Sequence, residues 1–478
     1  MMKLKILKFL AIACWSLLPG LLFAQKSAIE RFVQLPINKH ASIGFKLVDI
    51  ETGKLECAYN ENMSLCPASA LKIITTASAL EILGKDFLFE TKIYSQGNID
   101  EKGCLHGKLF IQGSGDPSLG SEYVGDKPKY FLQEWLEAIN KAGIKSIQGI
   151  LVNKEPEAYE GFSSKWLKED LGNYYASGTY NISVFDNSYR LYLRSEKAGT
   201  EVQIIKTEPL VDLKFNNYLK VVSSNIDSAY IAGAPFSMER NLHGVVPQNK
   251  NSIIIKGDIP KPALFLANYF EDFLKSNHIS ISSKAESTES PPDTMAKLLC
   301  TSVSKPMAQL IRVSNERSNN HYAEHLFYAI GKERGLAKGS DYIPSISQRQ
   351  IHKYWHKKGI NTQSLFMYDG SGLAPSNAIS AQMLTEVLVY MYKKSVHKEI
   401  FLQSLPLAGK EGTVRAFLKN TPLEGEARIK SGSISKVQSY AGYVMKDGKA
   451  SAFTLIVNNF TGNRKELRKE IERLLLSF

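Results

Sequence analysis

Several features are missing from this sequence, and each absence closes off a class of protein. No segment repeats with a period of about 20 to 50 residues, which excludes a solenoid. Basic blocks with interleaved aromatics are absent, which argues against a nucleic-acid module. Cysteine is scarce, five among 478 residues, and the spacing of Cys57, Cys66, Cys104 and Cys300 fits no zinc pattern. With 44% apolar and 22% charged residues, the composition is that of a globular chain rather than a disordered one. Its length suggests two or three domains.

The first 24 residues read as a cleaved export signal. "MMKLKILK" is a basic start, "FLAIACWSLLPGLLFA" is a short apolar stretch holding Pro19 and Gly20, and a cut after Ala24 fits. The expected location is therefore the periplasm or cell envelope. The formal charge of +12 falls to about +9 when Lys3, Lys5 and Lys8 leave. An exported basic protein suits an anionic envelope polymer or peripheral contact with a membrane surface. In an oxidising compartment the remaining four cysteines allow three disulfide pairings or four thiols.

Alternating residues in "ASIGFKLVDIETGKLECAYN" (41–60) predict two strands joined at Glu51 to Lys54. "EARIKSG", "SYAGYVMK" and "SAFTLIVNN" predict three more near the far end, with "KDGK" as a hairpin turn. "NRKELRKEIERLLLSF" predicts a closing helix with Leu467, Ile471, Leu474 and Leu475 on one side. Both ends of the chain are thus expected in one antiparallel sheet, beside a helical cluster that includes "SAQMLTEVLVYMYKKS". The middle, 87–299, mixes short strands with two helices and reads as an insertion, with a β-rich unit nested at about 195–262. The polar stretch "SSKAESTESPPD" (282–293) reads as a junction.

Three short motifs carry chemistry. In "PASALK", Ser69 and Lys72 stand three apart at a predicted helix start. A serine hydroxyl needs a base, and a lysine at that spacing faces the same way. Alone, an S-x-x-K reads far more readily as a helix cap or a plain surface serine. "SNN" places Ser318 and Asn320 where one can relay a proton and the other hold a substrate amide. "KSG" places Lys430 and Ser431 on a strand, where they can bind a carboxylate, with Gly432 letting a ligand approach the edge.

The order S-x-x-K, S-x-N, K-S-G is that of β-lactamases and penicillin-binding proteins. With "GSGDPSL", "FDNS", "DGSGL" and "LPLAGKEGTVR", the chain resembles the low-molecular-mass class C penicillin-binding proteins, the D-alanyl-D-alanine carboxypeptidase/endopeptidases. The resemblance implies an α+β fold. A β-lactamase/transpeptidase-like domain (25–86 and 300–478) would carry a large mixed α/β insertion (87–299). It implies that Ser69 is acylated, Lys72 takes its proton and Ser318 serves the leaving amine. Asn320 would hold the substrate backbone, Lys430 and Ser431 the terminal carboxylate, and the amides of Ser69 and Ser433 an oxyanion. Asp170, Tyr175 and Arg415 would face the diamino-acid side chain of a peptidoglycan stem peptide. β-Lactams are the expected inhibitors, and no cofactor, metal or nucleic acid is implied. There are two departures: Ser431 for threonine keeps the hydroxyl, and Asn319 for aspartate removes a charge but leaves the flanking side chains. The alternatives are a β-lactamase-type hydrolase, a wall-binding protein with a dead site, and a zinc peptidase using His321 and His325 of "HYAEH".

Overall fold

A computed structural model describes residues 28–125, 127–155, 161–332 and 342–478. The export signal expected at 1–24 lies outside these residues. Among them, no helix is long and apolar enough to cross a membrane. Two compact units emerge. The first draws its described residues from Met1–Ile82, Ser314–Ser318 and Ala337–Phe478, the second from Leu83–Val313 and Asn319–Leu336.

The first unit is built on a five-stranded antiparallel sheet. Its spatial order is Ala427–Ile434, Val437–Lys446, Lys449–Asn458, Ser42–Asp49 and Leu55–Tyr59. Strands from near the two ends of the described residues therefore pair directly, Ser42 opposite Asn458 and Asp49 opposite Ser451. Asp447 (φ 52°) and Gly448 (φ 74°) make the tight turn between Lys446 and Lys449, the left-handed pair that suits a two-residue hairpin. Helix Arg464–Leu476 begins where Asn463 accepts a hydrogen bond from the amide of Glu466. It buries Leu467, Ile471, Leu474 and Leu475 in one cluster with Phe45, Leu455 and Val457. Each such side chain contributes about 1.5–3 kcal/mol of burial. Helix Ala381–Lys393 also joins the sheet: Tyr443 Oη donates to Leu388 O (2.8 Å) and Thr385 bonds Thr454 (2.9 Å). Helix Lys72–Ile82 is buried from Lys72 through Leu80, an all-round burial that its run of Ile, Thr, Ala and Leu permits.

The second unit holds a mixed six-stranded sheet with Ser146–Asn153, Cys104–Gly113 and Glu90–Ile99 side by side. Helices Tyr130–Lys141 and Pro262–Ser276 pack Trp135 edge-on against Phe270 at 5.1 Å. A set of small sheets between Ser188 and Asp258 has its own core around Tyr189, Leu193, Leu242 and Val246. Beside it Arg240 pairs with Asp258, both almost fully buried. The polar stretch at 282–293 is more than a junction. Glu286–Thr288 is a strand parallel to Ser146–Asn153, and Glu286 ion-pairs with Lys108 at 2.8 Å. An exposed sheet edge accepts polar side chains, so polarity alone concealed the strand.

Candidate active site

The chain reaches Ser69 through a strained corner. Ala68 is fully buried at φ 45°, and Ala68–Leu71 form a 3₁₀ turn before the α-helix begins at Lys72. The expected start of a plain α-helix at Ser69 is thus replaced by a tighter turn. In a 3₁₀ turn side chains three apart eclipse, which brings Lys72 Nζ to 3.0 Å from Ser69 Oγ. Ser69 is half-exposed, while Ala68, Ala70, Leu71 and Lys72 are buried. The Ser69 amide also lies in the first turn, where amides have no intrahelical acceptor.

A turn ordered by a buried carboxylate holds Lys72 from the far side. Asp369 accepts from the amides of Gly372 (2.7 Å) and Ala374 (2.6 Å) and from Asn377 Nδ2 (2.8 Å). That turn presents Ser371 O to Lys72 Nζ (2.6 Å) and Gly370 O to Thr75 Oγ1 (2.6 Å). Gly372 (φ 79°) passes so close to Ala68 that a Cβ there would sit 2.0 Å from Ala68 O. The loop therefore braces the corner and the lysine together.

Ser318, at φ 54°, closes the link after helix Met307–Glu316. Lys430 Nζ donates to Ser318 Oγ (2.9 Å) and to Ser431 O (2.7 Å). Lys430 is fully buried; burial first, and the charge of Lys72 second, hold its ammonium well below the ordinary lysine range. The pocket therefore resists a second positive charge beside Lys72.

Strand Ala427–Ile434 is the edge of its sheet. Ile429 N–H donates outward to Pro406 O (3.0 Å), so residues an even number along also point their amides outward. The amides of Ser431 and Ser433 therefore face an edge that no described strand covers. Gly432 serves a different purpose from the one expected. A Cβ there would meet Pro67 O at 2.5 Å and Ala70 N at 2.6 Å, so the close neighbour is the serine corner itself. Ser439 Oγ donates to the same Pro67 O (2.5 Å) and pins strand to corner. Ser431 Oγ bonds Thr413 Oγ1 (2.8 Å), and Arg415, two residues beyond, is exposed.

In the second unit, helix Asn320–Lys332 starts at Asn319, whose Oδ1 accepts from the Tyr322 amide (3.2 Å). Asn320 Nδ2 donates to Tyr175 O (2.8 Å), and Tyr175 Oη donates to Asp170 Oδ1 (3.1 Å). Partial burial raises the Asp170 carboxyl above its usual range, and the bond from Tyr175 partly offsets this. Burial, with Asp170 beside it, pushes the Tyr175 phenol up as well. His321 and His325 are buried on the same helix. His321 Nε2 bonds Ser183 Oγ (2.8 Å) and His325 Nδ1 bonds Gly115 O (2.7 Å). Burial lowers both, His325 to about 3. Among the described residues neither joins a cluster of three convergent metal ligands, so the zinc reading lacks its third ligand.

The structure thus gathers Ser69, Lys72, Ser318, Lys430, Ser431 and Ser433 in the first unit. It links Asp170, Tyr175 and Asn320 in the second. Sequence reading missed Thr413, Ser439 and the roles of Asp369 and Ser371. "DGSGL" carries no sign in sequence that one of its carbonyls holds the lysine.

The profile of the D-Ala-D-Ala carboxypeptidase 3 (S13) family matches residues 25–476. A D-alanyl-D-alanine carboxypeptidase of an Actinomadura species is 25% identical over 459 residues, 91% of this chain and 81% of that protein. The crystal structure of penicillin binding protein 4 from Haemophilus influenzae is similar with a TM-score of 0.79 at 22% identity. The match covers 94% of this chain and 99% of that one. A predatory endopeptidase from Bdellovibrio bacteriovorus, solved acylated by penicillin G with an immunity protein, is similar with a TM-score of 0.52 at 14% identity. It covers 91% of each chain.

Proposed function

The chain belongs to the D-Ala-D-Ala carboxypeptidase 3 (S13) family, and from that premise we propose that it cleaves D-Ala-D-Ala peptides through an acyl-enzyme on Ser69. The observation that carries this reading is two contacts made by buried amines, Lys72 Nζ to Ser69 Oγ and Lys430 Nζ to Ser318 Oγ. Ser69 Oγ attacks the carbonyl between the two D-alanines while Lys72 accepts its proton. The oxyanion lies against the amides of Ser69 and Ser433. The proton gained by Lys72 returns through Lys430 and Ser318 to the nitrogen of the departing D-alanine as the C–N bond breaks, which frees Lys72 as a base again. Water then attacks the ester, passes a proton back toward Ser69 and frees the shortened peptide.

Recognition divides among the remaining groups. Lys430 and the Ser431–Thr413 hydroxyl pair take the terminal carboxylate, and Asn320 holds the substrate backbone. Asp170, Tyr175 and Arg415 face the diamino-acid side chain of the stem peptide. The open edge beside Ser431 and Ser433 suits an extended peptide added as a further strand. Substrates include cross-linked stem peptides, so the enzyme also acts as a DD-endopeptidase in the periplasm or cell envelope. β-Lactams acylate Ser69 and leave slowly; support comes from the penicillin G acylation of the structurally similar endopeptidase and from a β-lactam complex of the Haemophilus protein.

The test is incubation with penicillin, then mass spectrometry of the modified peptide, beside assays on a D-Ala-D-Ala peptide and cross-linked muropeptides. Label on the peptide holding Ser69 together with release of D-alanine supports the reading. Label elsewhere defeats it, and rapid turnover of a chromogenic cephalosporin would favour a β-lactamase instead.

A further inference from the structure

A second chemical cluster sits at a hairpin tip in the inserted unit. Strands Glu90–Ile99 and Cys104–Gly113 pair antiparallel, with Asn98 opposite His106 and Ile99 opposite Leu105. Gly103, at φ 84°, closes the turn by donating to Asp100 O (3.0 Å). Leu105 is fully buried, so its neighbours Cys104 and His106 share the opposite face of the strand. Asp100 stands at the mouth of the same turn. Its Oδ1 accepts from the amides of Lys102 (2.9 Å) and Cys104 (2.8 Å), which leaves Oδ2 directed at His106 Nε2 (2.9 Å).

We propose that Asp100, Cys104 and His106 bind a divalent cation of the zinc type. One oxygen, one sulfur and one nitrogen donor all lie within 4.8 Å of one another, and among the described residues no other group of three such donors converges. A tetrahedral zinc about 2.0–2.3 Å from each ligand requires donors about 3.3–3.7 Å apart. Rotation of these exposed or half-exposed side chains closes the difference. The mixture of thiolate, imidazole and carboxylate selects a borderline-soft metal over magnesium or calcium. The amides that hold Oδ1 orient the carboxylate as an outer shell should. On binding, the thiol proton goes to solvent, the neutral imidazole of His106 carries its hydrogen on Nδ1 so that Nε2 and Asp100 Oδ2 both face the metal, and a water completes the site. Binding therefore tightens as pH rises. The sequence hides the site because D-x-x-x-C-x-H matches no zinc pattern; the hairpin brings the aspartate back beside its own strand.

The experiment is titration of the full chain with Co²⁺ under a non-thiol reductant, followed by near-ultraviolet absorption. A thiolate-to-cobalt band should saturate at one equivalent and disappear when one equivalent of Zn²⁺ is added. Cys104→Ser should abolish the band, and the exposed-site variant His106→Ala should weaken binding by at least about tenfold. Both variants should keep wild-type activity on a D-Ala-D-Ala peptide, which also shows that they fold. Absence of a saturable band, or a band that survives Cys104→Ser, overturns the proposal.

Discussion

Ser69 and Lys72 meet within one turn of chain, whereas Ser318 and Lys430 meet across 112 residues. Each pair places an amine within 3.0 Å of a hydroxyl. The supports differ. The local pair is set by a 3₁₀ corner and braced by the Asp369 turn. The distant pair depends on a sheet edge and a residue at positive φ being delivered to one point. Local geometry makes a close serine–lysine pair easy to encode. A second amine–hydroxyl pair has to come from elsewhere, because one turn of helix cannot surround a substrate.

The sharpest test of this division is loss of the nucleophile. Ser69→Ala should reduce D-alanine release by more than about 10⁴-fold and abolish penicillin labelling in mass spectrometry. Next come the two partners. Lys72→Ala should slow acylation by about 10²–10⁴-fold, the usual weight of a general base. Ser318→Ala should cost less with penicillin than with a peptide, because the opened β-lactam nitrogen remains tethered. Equal losses with both substrates would break the assignment of separate roles.

The alkaline limb of the rate profile sharpens the comparison further. Burial and Lys72 lower the Lys430 ammonium, so its positive charge is lost at a pH below the ordinary lysine range. Because the proposed reading has Lys430 take the terminal carboxylate, kcat/KM for a D-Ala-D-Ala peptide should fall as pH rises toward that range. A value still flat near pH 10 would contradict a depressed lysine.

Smaller effects are expected in the supports. Asp369→Asn leaves buried amides with a weaker acceptor. It should cost about 1.5–3 kcal/mol of stability in urea unfolding, and acylation should fall while KM for the peptide changes little. Ile471→Ala in the closing helix should cost about 2–5 kcal/mol of stability, with the activity of the folded fraction unchanged. A large loss of acylation in that variant would mean that the sheet core and the serine corner are coupled.

Much of the fold was legible because its signals are short-range. Alternation marked the terminal strands, Asp447–Gly448 marked the hairpin, and a four-residue apolar stripe marked the closing helix. Reading failed where a residue answers to a distant neighbour. Gly432 resembles a ligand approach, yet its missing side chain makes room for Pro67 and Ala70. Glu286–Thr288 resembles linker, yet it pairs with Ser146–Asn153.

The sequence by itself determined the chemical groups and their local spacing: a lysine one turn from a serine, a hydroxyl two residues from an amide, a lysine on an alternating strand. Such patterns depend on backbone period alone. Only the tertiary structure decided that Lys430 would reach Ser318, that Ser371 would offer its carbonyl to Lys72, and that Thr413 would meet Ser431. Those meetings follow from burial and sheet order. Burial also lowers the Lys430 ammonium, because a charge is costly away from water and beside Lys72.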